Sequence, residues 1–97
     1  MKRFYSDYVR HCIRFYIKYP NCVHMDSTNI DNWTACDKAF SAFSENDKSL
    51  FRDIYTDGKN TEYIMLKYSK DNGIALEDLQ KKCSTLERMI ARIRGLI

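Results

Sequence analysis

The sequence predicts an all-α protein: a small five-helix bundle that ends in a helix-turn-helix hairpin with a long C-terminal helix. A chain of 97 residues is sufficient for a single domain with one modest core. Because 44% of the residues are hydrophobic and 30% are charged, a disordered chain is excluded. One Pro and three Gly are too few for a sandwich or barrel of many short strands.

The first predicted helix covers residues 3–19 and ends before Pro20. Its apolar and aromatic residues recur at helical spacing: Tyr5, Tyr8, Val9, Cys12, Ile13, Tyr16 and Tyr19. Arg10, Arg14 and Lys18 follow one another every four residues and are expected on another face. The aromatic stripe is interpreted as core. A base-stacking platform, as in proteins that bind single strands, is the less favoured alternative.

The second helix is predicted for residues 29–43, with Asp26, Ser27 or Thr28 as its N-cap. Its expected apolar face consists of Ile30, Trp33, Cys36, Phe40 and Phe43. The third helix starts at Ser44, because the segment from Ser44 to Asp47 has the pattern of a capping box with Asp as the fourth residue. It is expected to bury Leu50, Phe51, Ile54 and Tyr55 and to end at Asp57-Gly58.

The fourth and fifth helices are predicted for Thr61 to Asp71 and for Leu76 to Arg94. Between them Gly73 supplies the positive φ that a sharp turn requires, and Gly95 closes the last helix. The last helix carries an apolar heptad seam: Leu76, Leu79, Cys83, Leu86, Ile90, Ile93 and Ile97. Packing within the monomer is favoured for this seam, and a homodimer through Leu76–Ile97 is the alternative.

The hairpin fits the spacing of a DNA-binding helix-turn-helix around Gly73. That motif needs a small residue four positions before the glycine, an apolar residue just after it and another six after it. Ser69, Ile74 and Leu79 meet these needs. Lys82 departs from the motif, because a branched apolar residue is usual there. A plain packing hairpin is the alternative interpretation.

If the hairpin binds DNA, its polar residues are the candidates for contact. Gln suits adenine, Lys suits guanine, and the early acids Glu77 and Asp78 either accept from cytosine or stabilise the helix N-terminus. Arg88, Arg92 and Arg94 lie further along, at phosphates or in solvent. The candidate DNA-binding residues are Lys67, Lys70, Gln80, Lys81, Lys82, Ser84 and Arg88.

Charge is segregated along the chain. Residues 1–20 and residues 79–97 each carry a net charge of +4, and the segment between them carries −5. Such a distribution suits a protein that meets a polyanion on one side, although an ordinary surface explains it equally well.

Two segments carry a resemblance to a known family. The segment SENDKSLFRDIY at residues 44–55, the hairpin and the final LERMIARIRGLI at residues 86–97 resemble region 4 of sigma-70-type factors. The resemblance is strongest to small sigma-like regulators of Gram-positive phages, the ArpU and RinA group, in which a Trp-containing helix precedes a segment like Phe40 to Ser44. It covers about residues 29–97. It implies a transcription regulator of phage or mobile-element origin that acts on duplex DNA and RNA polymerase.

The alternative function is a small helical module that binds a host or phage protein, such as a polymerase modulator or a nuclease inhibitor. No cofactor or catalytic set is expected. A zinc set of Cys12, Cys22, His24 and Cys36 lacks a C-x2-C pair, and reduced thiols are favoured. Since no signal peptide or spanning segment is recognised, a cytoplasmic location without a membrane partner is expected.

Overall fold

The computed structural model describes residues 2–56 and 60–97. These residues form five α-helices and no strand: α1 (Ser6–Lys18), α2 (Ser27–Phe40), α3 (Glu45–Tyr55), α4 (Thr61–Asn72) and α5 (Leu76–Ile93). The predicted all-α class with five helices is therefore confirmed. The predicted end of the third helix at Asp57-Gly58 lies outside the described residues.

The structure shortens the first predicted helix at its start and the second at its end, and it extends the second at its start by two residues. Local hydrogen bonds explain these differences. The first helix starts at Ser6 rather than at residue 3, because the Ser6 hydroxyl accepts the Arg3 N–H at 2.8 Å and forms a turn before the helix. The second helix starts at Ser27, where the Asp26 side chain accepts the Asn29 N–H at 2.8 Å. It ends at Phe40, since residues 41–43 form a tight turn.

The predicted capping box at the start of α3 is only half formed. The Ser44 hydroxyl accepts the Asp47 N–H at 3.2 Å, as a capping box requires. The Asp47 carboxylate instead accepts a hydrogen bond from Lys82 Nζ at 2.6 Å. The capping motif therefore becomes a link between α3 and α5.

The core forms where α5 packs against α1, α2 and α4. Four central residues of the predicted heptad seam, Leu79, Cys83, Leu86 and Ile90, are each at most 1% exposed. At about 1.5–3 kcal/mol for each buried large aliphatic side chain, these contacts hold α5 firmly. Toward the C-terminus Ile93 and Ile97 are 42% and 51% exposed. The middle of the seam therefore packs against other helices of the same chain and is not exposed for a coiled coil.

The hairpin between α4 and α5 has the predicted turn. Gly73 adopts φ 63°, and the Ile74 N–H donates to the Ser69 carbonyl at 3.1 Å, which is the 6→1 bond of a Schellman motif. Lys82, which departs from the helix-turn-helix pattern, is exposed. The adjacent Cys83 is buried and fills the apolar position in its place.

Replacement of Gly73 by Ala should lower the free energy of unfolding by about 1 kcal/mol, because an L-residue is strained at positive φ. A β-carbon at this position would meet no atom within 4 Å, so the backbone is the only source of the cost. Urea denaturation measures the effect. Gly73→Asn is the matched control and should cost less, since Asn tolerates the left-handed region. Equal stability of the Ala variant and the wild type would contradict the proposed strain.

Candidate nucleic-acid interface

A buried ion pair joins the first and last helices. Arg10 Nε donates to Glu87 Oε2 at 3.0 Å, and the two side chains are 8% and 5% exposed. Arg10 Nη1 also donates to Glu62 Oε1 of α4 at 2.7 Å, where the carboxylate is half exposed. The hydroxyl of Tyr55 in α3 donates to the same Glu87 oxygen. Four helices therefore meet at one polar cluster.

The burial of Arg10 corrects the sequence prediction, which grouped this residue with Arg14 and Lys18 on a basic face. Successive positions four apart advance about 40° around a helix, so the row drifts across the surface. At its N-terminal end the row reaches the buried stripe of α1, next to Ile13 and Ser6. The carboxylates of α4 and α5 compensate the buried charge, and no pattern within α1 could reveal them.

Arg10, Glu62 and Tyr55 of this cluster and the neighbouring Cys83 have pKa values that keep each in one protonation state at neutral pH. Burial acts to lower the pKa of Arg10, but the two carboxylates outweigh it and raise that pKa above its usual value. Burial acts to raise the pKa of Glu62, and the hydrogen bond from Arg10 overcomes it, so that the pKa lies below its usual 4.5. Burial raises the pKa of Tyr55 well above its usual range and that of Cys83 to about 12. Arg10 and Glu62 are therefore charged, and Tyr55 and Cys83 keep their protons.

With its inner face fixed, α5 presents a row of polar residues on its outer face. These residues and Arg3 from the N-terminal segment line an open groove of about 510 Å³. The groove is lined by Arg3, Glu77, Gln80, Lys81, Ser84, Thr85 and Arg88. Its three cations face one carboxylate, and none of the three forms an ion pair with a residue that the structure describes. An anionic ligand in this groove would therefore meet three cations that no ion pair neutralises, beside the one carboxylate of Glu77.

Four of the seven candidate DNA-binding residues lie together in this groove: Gln80, Lys81, Ser84 and Arg88. Lys82 does not, because it binds Asp47 and lies about 120° around the helix from Arg88. Lys67 and Lys70 are exposed on α4 and lie outside the groove.

Arg3 is the groove residue that the sequence did not single out. The net charge of +4 in residues 1–20 was the available signal, but it did not distinguish one cation from another. Arg3 reaches the outer face of α5 because Ser6 holds the backbone of the preceding turn. This placement depends on the packing of α1 against α5, which local periodicity does not encode.

Several cations of the two basic ends are neutralised within the chain. Besides Arg10, Lys2 Nζ lies 2.8 Å from a carboxylate oxygen of Asp7. Arg94 Nε donates to Asn32 Oδ1 at 2.6 Å, and its Nη1 lies 3.9 Å from the Asp31 carboxylate. Arg94 therefore fastens the end of α5 to α2, which differs from the predicted alternatives of phosphate or solvent.

Exposed apolar residues bear on the alternative of a protein-binding module. The large hydrophobic side chains above one-third exposure in the described residues are Phe4, Tyr8, Tyr19, Val23, Ile30, Tyr63, Leu66, Ile93 and Ile97. They come from the N-terminal segment, the α1–α2 loop, four of the helices and the segment after α5. Tyr63 and Leu66, 63% and 40% exposed, lie one turn apart on α4.

The cysteines have free thiols, and Cys12, Cys36 and Cys83 are buried. Burial raises the pKa of each of these three thiols. Within residues 2–56 and 60–97, no three His, Cys, Asp or Glu side chains are grouped as a metal site would need. In the same ranges, no helix combines the length and the apolar character needed to cross a membrane.

No family model, no curated protein and no solved structure matches this chain. The resemblance to sigma region 4 therefore stays a prediction. The groove on α5 gathers four of the seven candidate DNA-binding residues on one surface.

Replacement of Arg10 by Met should lower the free energy of unfolding by about 3 kcal/mol, because it leaves the Glu87 carboxylate buried without its cation. The double variant Arg10→Met with Glu87→Gln should recover at least half of that loss. The glutamine introduced by the second change is neutral and still offers an acceptor to the Tyr55 hydroxyl. Urea denaturation of the full double-mutant cycle measures the coupling, and Arg14→Met is the control. Simple additivity of the two single changes would contradict charge compensation as the role of Arg10.

Stability should depend on pH through Glu62. Because its pKa is lowered in the folded state, its contribution is complete above the usual 4.5 and is lost as the pH falls through the lower folded value. Glu62→Gln should therefore cost up to about 1 kcal/mol near neutral pH, given that the side chain is half exposed, and nothing in strong acid. Urea denaturation of both proteins at several pH values measures the difference. The exposed Glu45, changed to Gln, should show a smaller effect, and a difference independent of pH would refute the assignment.

Proposed function

We propose that the protein is a sequence-specific DNA-binding transcription regulator of phage or mobile-element type, which reads duplex DNA with the outer face of α5. The observation that carries the proposal is the groove, in which four of the predicted contact residues and Arg3 surround one basic depression. The phage or mobile-element origin is supported by the resemblance to sigma-like regulators.

The chemistry of the groove suits a nucleic-acid duplex. A major groove about 12 Å wide admits one α-helix, and α5 is accessible along its outer side. Gln80 offers the paired donor and acceptor that recognise adenine, and Lys81 donates to the acceptors of guanine. Arg88 lies two turns after Lys81, where it suits a phosphate, and Arg3 adds a second anchor from the N-terminal segment.

The acidic residues at the start of α5 are compatible with this role. Glu77 and Asp78 lie in the first turn, where the helix dipole favours negative charge. Glu77 also lines the groove and is placed to accept from the amino group of cytosine. The Glu77 carboxylate would favour sites that present cytosine to it, because it repels phosphate and gains a hydrogen bond only from a base amino group.

The neighbouring residues Lys81 and Lys82 provide a matched test of this proposal. Both are exposed lysines, yet Lys81 lines the groove and Lys82 binds Asp47 on another side of the helix. Lys81→Ala should weaken binding to a labelled random duplex about tenfold and reduce the slope of log affinity against log salt by about 1. Lys82→Ala should change the affinity less than about threefold, since it removes the bond to Asp47 and a screened charge at a distance but no side chain of the groove. Fluorescence anisotropy at several salt concentrations measures both.

Arg88→Ala and Arg3→Ala should act like Lys81→Ala, because both side chains line the same groove. Lys38→Ala in α2 is the control for a general loss of charge. Equal losses of affinity in Lys81→Ala and Lys82→Ala would contradict binding of the DNA in the groove. Absence of duplex binding at low salt would contradict the proposed function as a whole.

A second candidate function is binding to a protein, for example to RNA polymerase. The exposed Tyr63 and Leu66 on α4 favour it, because two large apolar side chains one turn apart can anchor a partner. Duplex binding that is abolished by the groove variants but unchanged in Tyr63→Ala would favour DNA reading. Absence of duplex binding would make α4 the next surface to test.

A further inference from the structure

An aromatic pair, Phe15 and the C-cap residue Tyr19, lies at the C-terminal end of α1. The ring centroids of Phe15 and Tyr19 are 4.7 Å apart, and the rings are tilted by 46°. Lys18 Nζ lies 5.6 Å from the centroid of the Tyr19 ring. Tyr19 is 39% exposed and Phe15 is half-buried, so neither ring is enclosed by the core. The aromatic stripe predicted for this helix is therefore divided between the core and the surface.

The two rings form a common wall between two depressions. One depression has a volume of about 550 Å³ and is lined also by His11, Arg14 and Lys18. The other has a volume of about 430 Å³ and continues past Val23 in the loop before α2. Both depressions therefore give access to part of the ring pair.

The larger depression has a row of basic side chains and, among the described residues, no carboxylate in its lining. His11, Arg14 and Lys18 extend over about 10 Å of the helix axis at 1.5 Å per residue. Neither Arg14 nor Lys18 forms an ion pair with a described residue. In the smaller depression the Asp26 carboxylate already accepts the Asn29 N–H as the cap of α2.

We propose that this surface binds a single-stranded nucleic acid, with bases stacked on Phe15 and Tyr19 and phosphates held by Arg14 and Lys18. Exposed aromatic rings next to a basic groove are the two requirements of sequence-tolerant single-strand binding. A duplex does not fit, because its bases are stacked on one another and cannot reach the rings. A single nucleotide is a poorer match than a strand, because the basic row is longer than one phosphate group.

The surface shares no residue with the groove on α5. The inference therefore does not rest on the proposed reading of duplex DNA, and either one can fail without the other.

The test uses anisotropy of a fluorescein-labelled oligothymidylate of about 12 nucleotides at low salt. The double variant Phe15→Leu with Tyr19→Leu keeps apolar volume but removes the rings, and it should weaken binding about tenfold or more. Arg14→Gln with Lys18→Gln should reduce the salt slope by about 1.4, given about 0.7 for each phosphate of a single strand. This charge variant tests the site even if the ring variant fails to fold, which circular dichroism will show.

The controls are variants on other surfaces. Tyr63→Leu removes an exposed ring from α4, and Lys81→Ala with Arg88→Ala empties the α5 groove of two cations. Tyr63→Leu should keep the affinity for oligothymidylate within about twofold, since α4 does not contact the strand. The α5 variant should weaken binding less than the α1 charge variant, since only the α1 surface also stacks the bases. Reduced affinity in both α1 variants, together with unchanged affinity in Tyr63→Leu and a smaller loss in the α5 variant, supports the inference.

Three results would overturn it. The first is no binding of the oligonucleotide at low salt, and the second is loss of binding in the α5 variant with unchanged affinity in both α1 variants. The third is displacement of the oligonucleotide by an equal concentration of thymidine monophosphate, which would define a nucleotide site instead of a strand site.

Discussion

The ion pair between Arg10 and Glu87 is the contact on which the arrangement of α1, α3, α4 and α5 depends. An apolar seam alone would hold α5 in the core, yet it would tolerate small rotations and slips of the helix. A buried ion pair does not tolerate such movements, because a displacement of about 1 Å leaves a carboxylate or a guanidinium without its partner. The hydrogen bonds from Tyr55 and to Glu62 extend the same requirement to the two intervening helices. We therefore interpret the cluster as a device for orientation more than for net stability.

A second ion pair completes the orientation of α5. Glu87 and Lys82 lie about 140° apart around the helix and mark the two edges of its buried face. Between them lie the seam residues, and on the remaining side lie the residues that line the groove. The outer face is therefore defined by the contacts that fix the inner one. This is why Gln80, Lys81 and Arg88 form one surface while the equally basic Lys82 is excluded from it.

Most of the fold could be predicted from the sequence because it rests on local patterns. Helical periodicity, the Asp26 and Ser44 caps and the positive φ of Gly73 are properties of short segments, and the structure confirms each of them. The part of the candidate groove that lies on α5 could be predicted, because the apolar seam identifies the buried side of this helix and so also its exposed side. The positions of Arg3 and Arg10 could not be predicted, because they depend on partners more than fifty residues away. Glu87 offered a signal in retrospect, as an acid placed between the seam residues Leu86 and Ile90.

The ion pairs that individual cations form are more informative than the net charge of the chain. Lys2, Arg10, Lys82 and Arg94 all belong to the basic ends, and each is compensated by a side chain of the same protein. Among the described residues, the cations left without an ion pair include Arg3, Lys81 and Arg88 at the groove and Arg14 and Lys18 beside the aromatic pair. These five cations therefore lie on two separate surfaces, which differ in their neighbours. Polar side chains accompany the cations of the first surface, and two partly exposed aromatic rings accompany those of the second.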